Sequence, residues 1–310
     1  MIEHIKNFIF VLLCLVLIGA GLHISGVWLR PQNTDNCVTA IRAFHSLPQD
    51  SVDAIVFGSS HAWKGVDARA MQEVSGLSCY NYATNWQKLN TTYLFMQDAF
   101  KTQSPKIVFL ESYLIYKLVE DSDLNGEIFY TKELPDDKGK FEYLKTCFGD
   151  DITRYVSYYV PAYAFHSKWE SLSQAQFDFK IDPQPYIQSR GFEWSDNIFP
   201  GGIGYYQDFE QKEIRESSKR VLDQIYQLCM ENNAKLVIFT IPYMGSYEFW
   251  EECRTYADDH KSCEYLNLFA DLDDLGLDAS VDFADNEHLN HTGAYKVGEY
   301  LGSFLKESLR

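Results

Sequence analysis

Two short stretches at opposite ends of the chain hold side chains able to do chemistry together. Gly58-Ser59-Ser60-His61 follows directly on an apolar run, Ala54 to Phe57. Asp285 and His288 stand three residues apart in VDFADNEHLNHTGAYK, just before a segment patterned as the last helix. A serine hydroxyl needs a neighbouring base to attack a carbonyl, and an imidazole held by a carboxylate supplies one. At one helical turn's spacing Asp285 reaches His288. This reading makes Ser60 the nucleophile, His288 the base and Asp285 its orienter. His291 is a competing base, but Asp285 is spaced for His288. Each stretch alone is ordinary, since Gly-Ser-Ser suits a turn and Asp-x-x-His suits a helix cap. Together, in this order, they point to acyl chemistry.

The elements that must position these residues alternate in type. Strands are expected over 52–58, 77–83, 105–113, 234–243 and 263–269. Helices are expected over 67–76, 91–103, 209–233, 246–257 and 292–309, with a shorter one over 38–44. Strands separated by helices imply parallel pairing, right-handed crossovers and a doubly wound α/β sandwich. Ligands then bind beyond the carboxyl ends of the strands, which is where Ser60 falls. A helix starting there points N–H groups and its dipole at a developing oxyanion. His61 and Glu111 reach the same end and are candidates for substrate contact, against the plainer readings of a pocket wall and a solvated strand end. The alternation lapses over about 113–207, an aromatic-rich insertion expected over one end of the sheet. Arg190 and His166 within it are further candidates for substrate contact, with packing the plainer role for His166.

Composition narrows the partners. The 310 residues carry a formal net charge of −17 with no Lys/Arg cluster, which argues against nucleic acid. Residues 8–27 are almost wholly apolar and long enough, at roughly 30 Å as a helix, to cross a bilayer. The expected division is an N-terminal membrane anchor over 1–29, a linker and short helix over 30–50, and a catalytic domain over 51–310 outside the cytoplasm. A cleaved signal peptide and a buried helix are the rival readings of the apolar run. Seven cysteines allow disulfides, with Cys253 and Cys263 the best-spaced pair, or free buried thiols. Acids and histidines near 282–291 lack a second cluster to complete a zinc site, and 201–206 (GGIGYY) lacks the strand and Lys of a phosphate loop. No metal or other cofactor is expected.

GSSH after the first strand and DNEHLNHTG before the last helix resemble the SGNH/GDSL hydrolase superfamily. The chain is most similar to its membrane-anchored bacterial cell-envelope members, on NYATNWQKLNTTYLFMQDAFKTQSPKIVFLE and FHSKW. The resemblance implies a flavodoxin-like three-layer sandwich with a parallel sheet, and supports Ser60, His288 and Asp285 as a triad. It implies esterase or O-acyltransferase activity on cell-envelope polysaccharide or teichoic acid, alongside a membrane-bound O-acyltransferase. It also implies an oxyanion hole from the Ser60 N–H and the second block, where Ala83 replaces glycine. The third block lacks the family's Asn, so Asn85 or Gln87 would have to donate instead. That departure keeps a second reading open, a non-catalytic glycan-binding or assembly protein.

Overall fold

The computed structural model describes residues 2–29, 35–113, 115–116, 127–135, 137–177, 182–199, 214–242, 247–269 and 272–309. Five strands form one parallel sheet: β1 Ala54–Phe57, β2 Cys79–Asn81, β3 Ile107–Glu111, β4 Lys235–Thr240 and β5 Cys263–Asn267, in the order β2-β1-β3-β4-β5. Every residue of β1 and β3 is buried. That explains their unbroken apolar runs, because a strand covered on both faces has no wet side to alternate with.

Before the insertion, the helices are α1 Ile2–Trp28, α2 Asp35–His45, α3 Ser60–Gly65, α4 Ala68–Ser75 and α5 Leu89–Ala99. Between β3 and β4 come α6 Glu127–Tyr130, α7 Asp137–Phe148, α8 Ile152–Tyr159, α9 Pro161–Ala164, α10 Gln184–Gln188 and α11 Glu216–Glu231. Then follow α12 Tyr247–Asp259, α13 Leu272–Leu275 and α14 His291–Ser308. Right-handed crossovers in this strand order put α4 and α14 on one face of the sheet and α5, α11 and α12 on the other. The contacts agree: α14 lies along α4, and Tyr256 Oη of α12 donates to Asp223 Oδ1 of α11 at 3.0 Å. The result is α/β, consistent with three layers. The close seat of α14 depends on Gly298, where a side chain would run into the Asp67 carbonyl.

Several expectations shift. The helix read over 209–233 is described from Glu216, behind an extended Arg215, and stops at Asn232 before Asn233 turns left-handed at φ 56°. Residues 209–213 lie outside the described residues, as do 30–34 of the linker, 201–206, and 114, 117–126, 136, 178–181 and 200–207 of the insertion. Cys253 and Cys263 are both buried free thiols, so the disulfide reading is corrected. Among the described residues α1 is the helix long and apolar enough to cross a membrane, and its apolar window is exposed. An exposed helix of this kind is not a core element, so the buried-helix reading is corrected too.

Candidate active site

β1 and β3 end side by side, with Phe57 opposite Leu110. In this strand order the crossovers change direction between them, which opens the crevice where doubly wound sheets bind ligands. Gly58 turns the chain there. A Cβ on Gly58 would stand 2.5 Å from Glu111 Cβ and 2.9 Å from Ala62 Cβ, so no larger residue fits. Ser59 then caps α3. Its Oγ accepts from the His61 N–H at 3.3 Å and donates to Glu111 Oε2 at 3.1 Å. Glu111 Oε1 accepts from the Tyr113 N–H at 2.6 Å, and the Ser59 N–H also donates to this carboxylate. Burial pushes the Glu111 carboxyl up to about 7 against the pull of these donors.

Ser60 is the first residue of α3, where a backbone N–H has no acceptor within the helix. Its Oγ lies 2.8 Å from His288 Nε2. His288 Nδ1 is 2.9 and 3.0 Å from the two Asp285 oxygens. Asp285 Oδ1 also accepts the N–H groups of Glu287 at 2.8 Å and His288 at 2.9 Å, so one carboxylate both shapes the turn and aims the ring. With Nδ1–H donating to Asp285, Nε2 is left to accept the Ser60 proton; the network assigns this tautomer. Burial, and then the Lys64 ammonium, lower the His288 pKa below 6.5 against the opposing pull of Asp285. The ring is therefore neutral at neutral pH, with a ring nitrogen free of a proton. Burial works against Asp285 ionising, but the Glu287 N–H, the His288 ring and the His288 N–H hold it below its usual range.

The loop bearing His288 is pinned at both ends. Phe283 and Leu289 form an antiparallel bridge, and the Ala284 N–H donates to the His288 carbonyl at 2.8 Å. Asn290 caps α14 through the Thr292 and Gly293 N–H groups while donating to the carbonyls of Val281 and Asn197. Buried Asp282 beneath it meets Lys296 at 2.6 Å.

The other sequence candidates divide. His61 is buried beside Ser60 and His288, its ring stacked on Tyr113 at 3.7 Å and 5.2 Å from that of His288, and burial lowers its pKa well below 6.5. Glu111 is a buried brace rather than a solvated strand end. Arg190 is not brought to this cluster: it donates to the Cys79 carbonyl at 2.9 Å and Ser78 Oγ at 2.6 Å, along the edge of β2. His166 is exposed and bonded to the Tyr163 carbonyl. His291 stacks on Trp194 at 4.2 Å and faces the Ser195 carbonyl, so His288 is the histidine that reaches Ser60.

The expected oxyanion donors are largely engaged. The Ala83 N–H donates to Asn81 Oδ1 at 3.1 Å. The Gln87 amide donates to the Tyr82 carbonyl and Thr84 Oγ1, both at 3.2 Å. Asn85 is half-buried on the same loop.

Sequence reasoning missed Asn81, Lys64 and Glu287. Asn81 Nδ2 donates to the carbonyls of Ala62 at 2.8 Å and Val66 at 2.9 Å, closing the end of α3. An amide inside an otherwise apolar strand was the available signal. Glu287 joins His61 and His288 in the one metal-capable group among the described residues, with ligand atoms within 4.8 Å of one another. A cation there would compete with Ser60 for His288.

Two measurements check this description. Between pH 4.5 and about 7 the folded protein keeps a Glu111 proton that the unfolded chain has released. Stability therefore falls across that window as pH rises, by about 3 kcal/mol, and is level above it. Urea unfolding at pH 5 and pH 8 is expected to show this fall in the wild type and not in Glu111→Gln; equal slopes would contradict it. Lys64→Met removes a cation that lowers the His288 pKa, so the His288 titration, followed by histidine-ring NMR, is expected to move to higher pH. An unmoved titration would show that Lys64 does not act on His288.

Comparison with protein-family models finds none that matches this chain, and no curated protein matches it.

Proposed function

We propose that the chain is a serine esterase or O-acyltransferase of SGNH type. It acts outside the cytoplasm on ester groups of cell-envelope polysaccharide or teichoic acid. The observation that carries the chemistry is the 2.8 Å contact from Ser60 Oγ to a His288 ring backed by Asp285, at the carboxyl end of a parallel sheet. The substrate class rests on the resemblance in GSSH and DNEHLNHTG, joined to an N-terminal helix able to hold the domain at a membrane. A membrane-bound O-acyltransferase is the partner expected to supply or receive the acyl group.

Ser60 Oγ forms a bond to the ester carbonyl carbon as His288 Nε2 takes the hydroxyl proton. The Ser60 N–H, at the helix start, faces the developing oxyanion. Collapse breaks the bond to the leaving alcohol, which receives the proton from His288 and departs. A glycan hydroxyl or water then attacks acyl-Ser60, giving its proton to His288. Cleavage of the acyl–Ser60 bond returns that proton to Ser60. Asp285 holds the ring and stabilises its cationic form throughout.

A second reading has its own support. The Ala83 N–H and the Gln87 amide, two of the expected donors, are engaged elsewhere, and each lost donor costs about 3 kcal/mol of transition-state stabilisation. A glycan-binding or assembly protein that keeps the fold without turnover matches that deficit.

Turnover of 4-nitrophenyl acetate by the full chain in detergent separates the two. The enzyme reading expects kcat to fall about 10⁴-fold in Ser60→Ala, His288→Ala and Asp285→Asn, each still folded. It also expects activity to survive chelation, since no step needs the cation that His61, Glu287 and His288 could hold. Turnover indifferent to Ser60 would contradict this mechanism, and turnover absent altogether while a glycan still binds would favour the non-catalytic reading.

A further inference from the structure

α8 is patterned backwards for a surface helix. Its buried residues are Ser157 and Tyr158. Ile152, Val156 and Tyr159 face outwards, with Ile152 75% and Tyr159 61% exposed. Their spacing of four and three puts them on one stripe. Tyr163 of α9 and, in the turn after it, Trp169 (65% exposed) and Leu172 add further exposed apolar side chains. Contiguous apolar surface of this kind marks a contact with a protein or a membrane.

The position of the stripe identifies which. Gly26 lies in the last turn of the apolar run 8–27. A Cβ on it would stand 3.2 Å from Ala162 N and from Pro161 Cβ, so α1 leans directly on α9. Gln176 Nε2 donates to the Trp28 carbonyl at 3.0 Å, and the rings of Trp28 and Phe177 are 5.5 Å apart. The end of α1 is thus clamped between α9 and the turn over Gln174–Phe177. Tyr159 and Tyr163 flank Pro161–Ala162, so they stand at the depth where α1 leaves the apolar layer. Tyr and Trp favour that depth in membranes because one end of each ring system is apolar and the other wet. Tyr159 also lines a cavity of about 380 Å³ with His23, Arg42 and Lys132. Arg42 is paired with Glu133 at 2.8 Å, and burial lowers the Lys132 pKa to about 8. Both cations line this cavity beside the last turns of α1.

We infer that the outward face of α8, α9 and the turn over residues 166–172 rests on the bilayer surface, as a collar around the exit of α1. The inference rests on α1 spanning the membrane. A lipid surface is favoured over a protein partner because the stripe is continuous with α1, so lipid lies beside it whenever α1 is inserted. The collar and the α1–α9 contact together set the height of Ser60 above the membrane.

Photocrosslinking of the full chain in phospholipid vesicles tests this. p-Benzoylphenylalanine replaces Ile152, Tyr159 or Trp169 in the collar, Leu15 within α1, or exposed Val281 away from the collar. Lipid adducts by mass spectrometry are expected at 15, 152, 159 and 169 and not at 281. Adducts at 15 without any at the three collar positions would overturn the collar alone. Adducts from the collar to protein would show that a second copy covers it, and lipid adducts at 281 as well would show unselective contact; either overturns the inference. No adduct at 15 would remove the membrane-spanning reading and the collar with it.

Discussion

Glu111 lies inside the protein at the end of β3, and its carboxylate takes the Ser59 N–H, the Ser59 hydroxyl and the Tyr113 N–H. This arrangement exists only because Gly58 presents no side chain where β1 and β3 part. Ser59 is held on one side by Glu111 and caps α3 on the other, so the next residue, Ser60, has little freedom in direction. Buried charge normally costs stability, and the raised pKa records that cost. Here the cost falls on the residue that holds Ser59, and through it Ser60. Strained or expensive groups are concentrated at functional sites when the surrounding structure over-determines them.

The partner of Ser60 reaches it by an independent route. Asp285 shapes a turn through two N–H groups and aims His288 with the same atoms. Asn290 and Asp282 tie that turn to the start of α14, and Gly298 lets α14 press on the chain at Asp67, where α4 begins. α14 also touches α3. The two halves of the site meet because one helix packs against the short segment that follows Ser60. The Ala83 N–H and the Gln87 amide, both in the loop after β2, are spent on acceptors of that segment.

Much of this was legible in the sequence for physical reasons. β1 and β3 read as continuous apolar runs because both faces are covered. Asp285 and His288 were readable as a pair because three residues separate them, although the turn that joins them is not helical but is closed by the Asp285 side chain. The Ser59–Glu111 brace was not, since it joins residues of different strands and only the strand order brings them together. Arg190 read as a substrate ligand because it is a cation in an aromatic loop; the backbone of β2's edge claims it instead. Gln87 read as a donor because its side chain has two N–H groups, and both are used within its own loop. The stripe on α8 was hidden by the usual assumption that apolar periodicity faces inwards.

The most direct measurement is covalent. The full chain in detergent would be treated with a fluorophosphonate, which bonds to an activated serine hydroxyl with loss of fluoride, and the adduct mapped by peptide mass spectrometry. A nucleophile at Ser60 activated by His288 predicts a single adduct on Ser60, retained when Ser59 is changed to alanine and lost when His288 is. No adduct on the folded protein, an adduct elsewhere, or labelling of Ser60 that ignores His288 would contradict it.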